Sequence, residues 1–344
     1  MKKYKVGSLF AGVGGICQAF KNANCDVIWA NEIDKNACKT YKLNHNETTQ
    51  LINEDIRKLK LDKNMKSVDI LTAGFPCQPF SQAGHGKGFE DERGKLFFEV
   101  TRLLKEIQPE AYFLENVRTL ATHNNGMSFK TVKQEIANAG YSFIPFVLNA
   151  AEYTEIPHGR ERIYIVGFKG EKEYSFDKPI KINTGKDKFD NYKSKLFNIP
   201  EKEKELPISF REYLDKETVK KEDYYSNYEN KIHQSVIEAV TKSDTVYQYR
   251  RYYVRENKSK VCPTLTANMG CGGHNIPIIL EGNKPRRLTP KECFNLQGFP
   301  KEFILPEDIA RGQLYKQAGN TVVVPMVYKI AKEIVRVLNE YRIN

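Results

Sequence analysis

The sequence predicts an α/β fold with a mostly parallel central sheet, followed by a second, smaller and less regular domain. From residue 4 to about residue 168, short apolar runs alternate with helical patterns, which is typical of βα units. A glycine-rich turn joins the first apolar run to the first helical pattern. Past Phe168 the apolar periodicity fades and Lys, Asp, Glu, Asn and Tyr dominate to about residue 260, so a second domain is expected from near residue 170.

The elements of the first domain follow from the length and spacing of the apolar runs. Strands are predicted over residues 4–10, 27–31, 68–73, 111–115, 144–148 and 162–168. Helices are predicted over residues 16–22, 35–44, 94–107 and 129–139. A regular sequence pattern resumes at Arg286, and an apolar-periodic helix is predicted from about residue 325 to residue 341.

The composition favours an intracellular protein that meets a polyanion. The 344 residues suffice for a large domain with a core and a smaller one. The net charge is +11 and the isoelectric point is near 9.1. Seven cysteines without a C-x-x-C pair predict neither a disulfide framework nor a zinc site, and a reducing compartment suits a reactive thiolate. With no signal region and no run of about 18 apolar residues, a soluble cytoplasmic protein without membrane or metal is expected.

The most informative segment is Gly-Phe-Pro-Cys-Gln-Pro-Phe-Ser-Gln-Ala-Gly at residues 74–84, directly after a predicted strand. It puts Cys77 between Pro76 and Pro79, which fix two φ angles and remove two N–H donors. A core cysteine is the alternative, because free cysteine is among the most buried residue types. The proline pair and the polar neighbours favour a thiol that is held for attack.

A nucleoside cofactor is indicated by the residues at the ends of the first strands. The turn at residues 8–15 presents backbone N–H groups at a helix N-terminus, although a tight structural turn explains it equally well alone. Glu32, about 20 positions on, can accept hydrogen bonds from ribose hydroxyls, and Asp55, before Ile56, can face an adenine amino group. The phosphate-loop signature is absent, which favours a nucleoside without a triphosphate.

A carboxyl group and the thiol are expected to meet at one sheet edge. Glu115 ends another strand of the sheet, and an acid beside a thiolate suits attack on a heteroaromatic ring, with a ring nitrogen protonated as sulfur adds to carbon. A surface or capping carboxylate is the alternative for Glu115. Arg160 and Arg162 stand at alternate strand positions, so they can order a pocket or bind phosphate, or form a surface ion-pair strand.

Basic and aromatic residues alternate over residues 241–260. Cations interleaved with flat rings are typical of a nucleic-acid surface, and a solvated edge strand with half-buried tyrosines is the alternative. The residues are Lys242, Arg250, Arg251, Arg255, Lys258 and Lys260, with Tyr247, Tyr249, Tyr252 and Tyr253.

Six blocks, in this order, resemble the motif set of the DNA (cytosine-5) methyltransferases, particularly those of bacterial restriction–modification systems. They are Phe10-Ala-Gly-Val-Gly-Gly, Gly74-Phe-Pro-Cys-Gln, Glu115-Asn-Val, Arg160-x-Arg162, residues 287–300 and residues 319–325. The resemblance covers nearly the whole chain. It implies a Rossmann-like methyltransferase sheet over residues 1–170, a target-recognition domain over residues 171–285, and a C-terminal segment, residues 286–344, that forms a hinge and a helix packed on the catalytic domain.

The resemblance also implies a mechanism. Cys77 adds to C6 of a flipped cytosine, Glu115 protonates or hydrogen-bonds N3, and Arg160 with Arg162 supports the base and Glu115. C5 then takes the methyl group of S-adenosylmethionine, and loss of the C5 proton with elimination of Cys77 restores the ring. The base must leave the stack, because C5 and C6 are covered inside a duplex.

The resemblance implies two further sets of residues. The S-adenosylmethionine site comprises Phe10, Ala11, Gly12, Gly14, Glu32, Ile33, Asp55, Ile56, Gly74, Pro76, Leu96, Asn320 and Val322. In it, Ile33 and Asp55 with Ile56 lie around adenine, and Asn320 with Val322 closes the pocket from the C-terminal segment. The DNA contacts comprise Gln78, Ser81, Lys87, Arg93, Arg250, Arg251, Arg255, Thr264, Thr266, Asn268 and His274. A glycine-rich loop, residues 82–93, is expected to close over DNA, and residues 262–275 are expected to read bases.

Three alternatives stay open: a transfer RNA cytosine-5 methyltransferase of the same fold, a catalytically silent DNA-binding regulator, and a different thiol enzyme acting on a pyrimidine nucleotide. The basic second region favours double-stranded DNA, and intact Cys77 and Glu115 disfavour a silent protein. The chain reads Pro157-His158-Gly159 where relatives usually carry Gln before the Arg-x-Arg pair. A monomer is expected, with a cognate restriction endonuclease acting on the same site and making no direct contact.

Overall fold

The structure, a computed structural model, describes residues 3–45, 49–76, 92–170, 197–202, 208–226, 229–250, 252–269 and 275–341. The chain divides into two compact units. The first comprises residues 1–148, 161–201 and 327–344, and the second comprises residues 149–160 and 202–326. The boundaries predicted near residues 170 and 285 describe functional regions, and they stay predictions.

The first unit is built on a seven-stranded sheet. The first eight strands of the chain are β1 (Lys5–Leu9), β2 (Asp26–Asn31), β3 (Gln50–Ile52), β4 (Ile70–Gly74), β5 (Ala111–Val117), β6 (Ile144–Asn149), β7 (His158–Gly159) and β8 (Glu161–Phe168). All except β7 join the sheet, in the order β3–β2–β1–β4–β5–β8–β6. The first five strands pair in parallel and β8 runs antiparallel to β5, so the sheet is mixed. The α/β class predicted from the alternating pattern is confirmed.

Helices connect these strands and end the chain. They are α1 (Gly15–Asn22), α2 (Lys35–His45), α3 (Glu92–Ile107), α4 (Met127–Asn138), α5 (Ala150–Tyr153), α6 (Lys231–Ala239), α7 (Pro290–Asn295), α8 (Arg311–Asn320) and α9 (Val324–Tyr341). The strands and helices predicted for the first domain all occur, displaced by at most a few residues at their ends. The short strand β3 was not predicted, because its three residues carry no apolar alternation. None of the helices in the described ranges is both long and apolar enough to span a bilayer.

The second unit contains a sheet of its own. Its strands are β9 (Val246–Arg250), β10 (Tyr253–Asn257), β11 (Cys262–Pro263), β12 (Pro277–Glu281) and β13 (Lys284–Arg287). Four of them form an antiparallel sheet in the order β10–β9–β12–β13, and β11 pairs in parallel with β7. Tyr247 and Tyr249 of β9 pack with Val236 and Ile278 in a small apolar core. This part of the chain is therefore more regular than its fading periodicity suggests.

A buried ion-pair network marks the start of α7. Thr289 and Glu292 form a capping box, and Pro290 occupies the first turn. Glu292 also accepts hydrogen bonds from Arg286, which is fully buried and pairs with Glu281 as well. Removing one partner would leave a buried charge, at a cost of about 3–5 kcal/mol.

Candidate active site

The carboxyl ends of four parallel strands bring the predicted cofactor and catalytic residues to one edge of the first unit. Leu9 at the end of β1 pairs with Asn31 of β2 and with Ala73 of β4. On the other side of β4, Gly74 pairs with Glu115 of β5. The residues that follow these strand ends therefore share the edge at which α/β sheets bind ligands.

The glycine turn after β1 is held in place by a carboxylate. Glu32 accepts a hydrogen bond from the Gly12 N–H through Oε2, and one from the Asp34 N–H through Oε1, both at 2.8 Å. Burial raises the pKa of the Glu32 carboxyl, and the two backbone N–H groups oppose that rise. Phe10 adopts a positive φ of 52°, which is uncommon outside glycine and marks a constrained turn. A carboxylate beside this turn suits a ligand that carries hydroxyl donors.

A histidine that sequence reasoning missed supports the same turn. The His45 ring at the end of α2 is 3% exposed and lies 4.6 Å from the Tyr41 ring, centroid to centroid. A Cβ atom on Gly14 would overlap the His45 ring, and Gly14 also adopts a φ of 91°, so only glycine fits there. Burial, with a smaller contribution from Lys21, lowers the pKa of His45 to about 4. The only signal in the sequence was the four-residue spacing of two rings on one helix.

The residues predicted around adenine, and Leu96, differ from one another in exposure and in contacts. Ile33 is 60% exposed, which leaves an apolar side chain at the sheet edge. The Asp55 carboxylate accepts a hydrogen bond from the Arg57 backbone and forms an ion pair with the Arg57 guanidinium at 2.6 Å, and this hydrogen bonding lowers the pKa of Asp55. Ile56 is buried in the core of the first unit, and Leu96 packs against that core.

An ion pair places the predicted acid beside the start of the cysteine segment. Glu115 Oε1 lies 3.1 Å from Arg162 Nε, and both side chains are largely buried. A Cβ atom on Gly74 would lie 3.8 Å from Glu115 Oε2, so this oxygen faces the point where the chain leaves β4. The next residue, Asn116, donates a hydrogen bond from Nδ2 to the Phe75 carbonyl at 3.1 Å. The end of β5 thus fixes the first residues of the segment that leads to Cys77.

Several predicted residues lie outside the described part of the chain. They are Cys77, Gln78, Ser81, Lys87, Arg251 and His274, together with the side chain of Arg93 and most of the loop at residues 82–93.

Arg160 and Arg162 have different partners, although their alternate positions predicted a shared face. Arg160 lies just before β8 and is 3% exposed. Its Nη1 donates to the Leu265 carbonyl at 2.8 Å, and its Nη2 donates to the Gly319 and Thr321 carbonyls at 3.1 and 2.6 Å. One arginine therefore holds a carboxylate in the first unit and the other holds backbone carbonyls in the second.

The predicted base-reading segment exposes only some of its polar side chains. Thr264 donates its hydroxyl to the Gly159 carbonyl, so it anchors the segment. Thr266 and Asn268 are exposed and hydrogen-bonded to each other at 2.6 Å, whereas Leu265 and Met269 are fully buried. Among the described residues of this segment, the exposed polar side chains are those of Thr266 and Asn268.

The basic and aromatic stretch divides into an inner and an outer part. Tyr247 and Tyr249 belong to the core of the second unit, whereas Tyr252 is 90% exposed and Tyr253 is 60% exposed. Arg250 and Arg255 are exposed on β9 and β10. Lys242 pairs with Glu256 and Lys260 with Asp244.

Comparisons with known proteins identify the family of the chain. Residues 4–336 match the family described as C-5 cytosine-specific DNA methylase. The chain is 44% identical over 333 residues to the type II methyltransferase M.Bsp6I of Bacillus sp. (strain RFL6), covering 96% of this chain and 98% of that protein. It is 32% identical over 334 residues to M.HhaI of Haemophilus parahaemolyticus, covering 96% and 94%. The fold resembles the Dnmt2 methyltransferase of S. pombe, with a TM-score of 0.69, 20% identity, and 98% and 99% of the two chains covered.

Proposed function

Because the chain belongs to the C-5 cytosine-specific DNA methylases, we propose that it methylates C5 of a flipped-out cytosine in double-stranded DNA through a covalent bond from Cys77 to C6. The observation that carries the proposal is the Glu115–Arg162 ion pair. It stands beside Gly74, three residues before Cys77 in the sequence.

The described residues support a division of labour in this reaction. Arg162 holds one oxygen of Glu115, so the other oxygen is oriented toward the cysteine segment, where it can meet N3 of the base. Protonation or hydrogen bonding at N3 makes C6 a better acceptor, the Cys77 thiolate forms the S–C6 bond, and electron density moves to C5. After C5 carries the methyl group, the C5 proton passes to water and its electron pair reforms the C5–C6 double bond. The S–C6 bond breaks with its electrons on sulfur, which restores the Cys77 thiolate.

The cofactor of this reaction is S-adenosylmethionine, which supplies an electrophilic methyl group when it is bound. The residues present fit its nucleoside. Glu32 offers carboxylate oxygens for ribose hydroxyls beside the Gly12 N–H, and the exposed Ile33 offers an apolar surface for adenine. The remaining predicted contacts, among them Phe10, Ala11, Gly14, Asp55, Ile56, Gly74, Pro76, Leu96, Asn320 and Val322, are part of this proposal.

Relatives named as type II methyltransferases support a biological role. A methylated recognition site protects host DNA from a restriction endonuclease that cuts the same sequence, and the chain would act in the cytoplasm as a monomer. The positive net charge of +11 and the exposed Arg250 and Arg255 favour a nucleic acid as partner.

Transfer of a labelled methyl group from S-adenosylmethionine tests the proposal. The purified protein should label duplex DNA, and Cys77→Ser should abolish labelling while DNA binding is retained. Cys25→Ser serves as a matched control, because Cys25 is a buried thiol of the first unit away from the sheet edge, and it should remain active. Labelling of transfer RNA in place of duplex DNA would contradict the substrate, and full activity of Cys77→Ser would contradict the mechanism.

A further inference from the structure

Leu265, in the predicted base-reading segment, is held at both its backbone N–H and its backbone carbonyl. The Leu265 N–H donates to Nε2 of His158 at 3.0 Å, and the Leu265 carbonyl accepts from Nη1 of Arg160 at 2.8 Å. Leu265 and His158 are fully buried. The pairing of β7 with β11, with His158 opposite Cys262, continues directly into this contact. The backbone of residues 262–265 is therefore fixed to the three residues that precede β8.

His158 acts here as a hydrogen-bond acceptor. A backbone N–H always carries its proton, so the ring nitrogen that receives it must be unprotonated, and His158 is neutral with its hydrogen on Nδ1. A glutamine side chain at this position has a carbonyl oxygen that can accept the same bond. An aliphatic side chain cannot, and would leave the buried Leu265 N–H without its acceptor.

Arg160 extends this contact to the end of α8. Its Nη2 donates to the carbonyls of Gly319 and Thr321, on either side of Asn320, which is predicted to close the cofactor site. A Cβ atom on Gly319 would overlap the backbone of Thr266, so the two segments approach as closely as only glycine permits. Within the second unit, one buried guanidinium thus holds the segment predicted to read DNA and the segment predicted to meet the cofactor.

We infer that His158 and Arg160 are positioning residues: His158 places the DNA-reading segment, and Arg160 places both that segment and the cofactor-closing segment around Asn320. This inference rests on the proposed function. Thr266 and Asn268 are exposed and follow directly after Leu265, so a shift of the Leu265 backbone displaces both groups. Arg160 does not act on the base, whereas Arg162, two positions on, acts through Glu115.

Lysine substitutions at Arg160 and Arg162 test whether the two arginines have these different roles. Arg160→Lys keeps the positive charge but cannot reach three carbonyls with a planar fork, so we expect KM to rise about tenfold for both DNA and S-adenosylmethionine, with a smaller effect on kcat. Arg162→Lys should lower kcat and leave both KM values close to those of the wild type. The substrate is plasmid DNA that the wild-type protein methylates, with rates expressed per active site.

Two substitutions of His158 separate positioning from folding. His158→Leu should raise KM for DNA about tenfold and leave KM for S-adenosylmethionine nearly unchanged. His158→Gln should restore KM for DNA, because its amide oxygen can accept the Leu265 N–H. Thermal unfolding of each variant shows how much protein is folded under the assay conditions.

The outcomes are distinct from those that test the proposed function. An inactive wild type with DNA would remove the proposed function itself. With an active wild type, a loss of kcat alone in Arg160→Lys would place Arg160 at the reacting base and overturn the inference. It would equally be overturned if His158→Leu lowered only the folded fraction and left KM for DNA unchanged.

Discussion

The sheet edge of the first unit and the clamped segment of the second, residues 262–265 held by His158 and Arg160, are organised by opposite means. At the sheet edge, regular strands carry charged side chains, and those side chains hold each other or a turn, as Arg162 holds Glu115 and Glu32 holds Gly12. In the clamped segment, the backbone is irregular, and buried side chains hold its peptide groups, as His158 and Arg160 hold Leu265.

Under the proposed function, the difference assigns a separate task to each region. Chemistry at a single base needs a few groups at fixed positions, and rigid parallel strands supply them. Reading a sequence needs a surface that can differ between related proteins, and a loop that is held through the backbone of one residue leaves its neighbouring side chains free to vary. Substitutions in the first region should therefore affect kcat or cofactor binding. Substitutions in the second should affect DNA binding, and at Arg160 they should also affect cofactor binding.

The largest effect is expected at Glu115. Glu115→Gln removes the proton donor but keeps the shape of the side chain, so kcat should fall by about 10²- to 10⁴-fold with KM for DNA little changed. Glu161→Gln is the matched control, because Glu161 lies on β8, the strand that pairs with β5, and forms an ion pair with Arg118 at the surface. Equal losses in the two variants, measured as single-turnover methyl transfer, would mean that the sheet edge does not carry the chemistry.

The pH dependence of the free energy of unfolding tests whether the buried His45 supports the glycine turn as a neutral ring. Burial lowers its pKa from 6.5 to about 4. Below pH 6.5 the histidine is protonated in the unfolded chain, whereas in the folded protein it stays neutral until the pH is near 4. Stability is thus fully present above pH 6.5 and is lost as pH falls, by up to about 3 kcal/mol at pH 4. His45→Gln should lose this part of the pH dependence in urea unfolding. An unchanged pH slope in the variant would show that His45 is not held neutral.

Glu32 separates cofactor binding from catalysis. Glu32→Ala removes the acceptor for the Gly12 N–H and the proposed acceptor for ribose hydroxyls, so the dissociation constant for S-adenosylmethionine should rise about tenfold or more. Calorimetric titration without DNA measures this directly. Glu106→Ala, an exposed carboxylate on α3, should bind as the wild type does. A cofactor affinity that is unaltered in Glu32→Ala would exclude its role.

The smallest effect is expected on the outer face of the second unit. If Arg255 contacts a phosphate, Arg255→Gln should weaken DNA binding evenly across sequences and reduce the slope of log K against log salt by about 1. Lys260→Gln should change the slope less, because Lys260 already pairs with Asp244 at 2.6 Å. Binding measured at several salt concentrations distinguishes the two variants, and identical slopes for both and the wild type would argue against a phosphate contact at Arg255.

The same contrast explains what the sequence could predict. The position of Glu32 and Glu115 at the sheet edge could be predicted because strand ends can be located from apolar runs, and parallel strands bring their ends together. His45 and the peptide contacts of His158 were not found, because they depend on which distant backbone groups meet a side chain in the folded chain. The burial of Tyr247 and Tyr249 could not be predicted either, because a basic and aromatic stretch alone does not distinguish core rings from exposed ones.

The central claim is a bond between Cys77 and C6 of cytosine, made beside Glu115. A duplex that carries 5-fluorocytosine at the methylated position tests it most directly, because fluorine at C5 cannot leave as a proton and the adduct accumulates. After incubation with S-adenosylmethionine, proteolysis and mass spectrometry should locate the nucleotide on Cys77, and Cys77→Ser should yield no adduct. An adduct on another residue, or none from protein that methylates the unfluorinated duplex, would contradict the account.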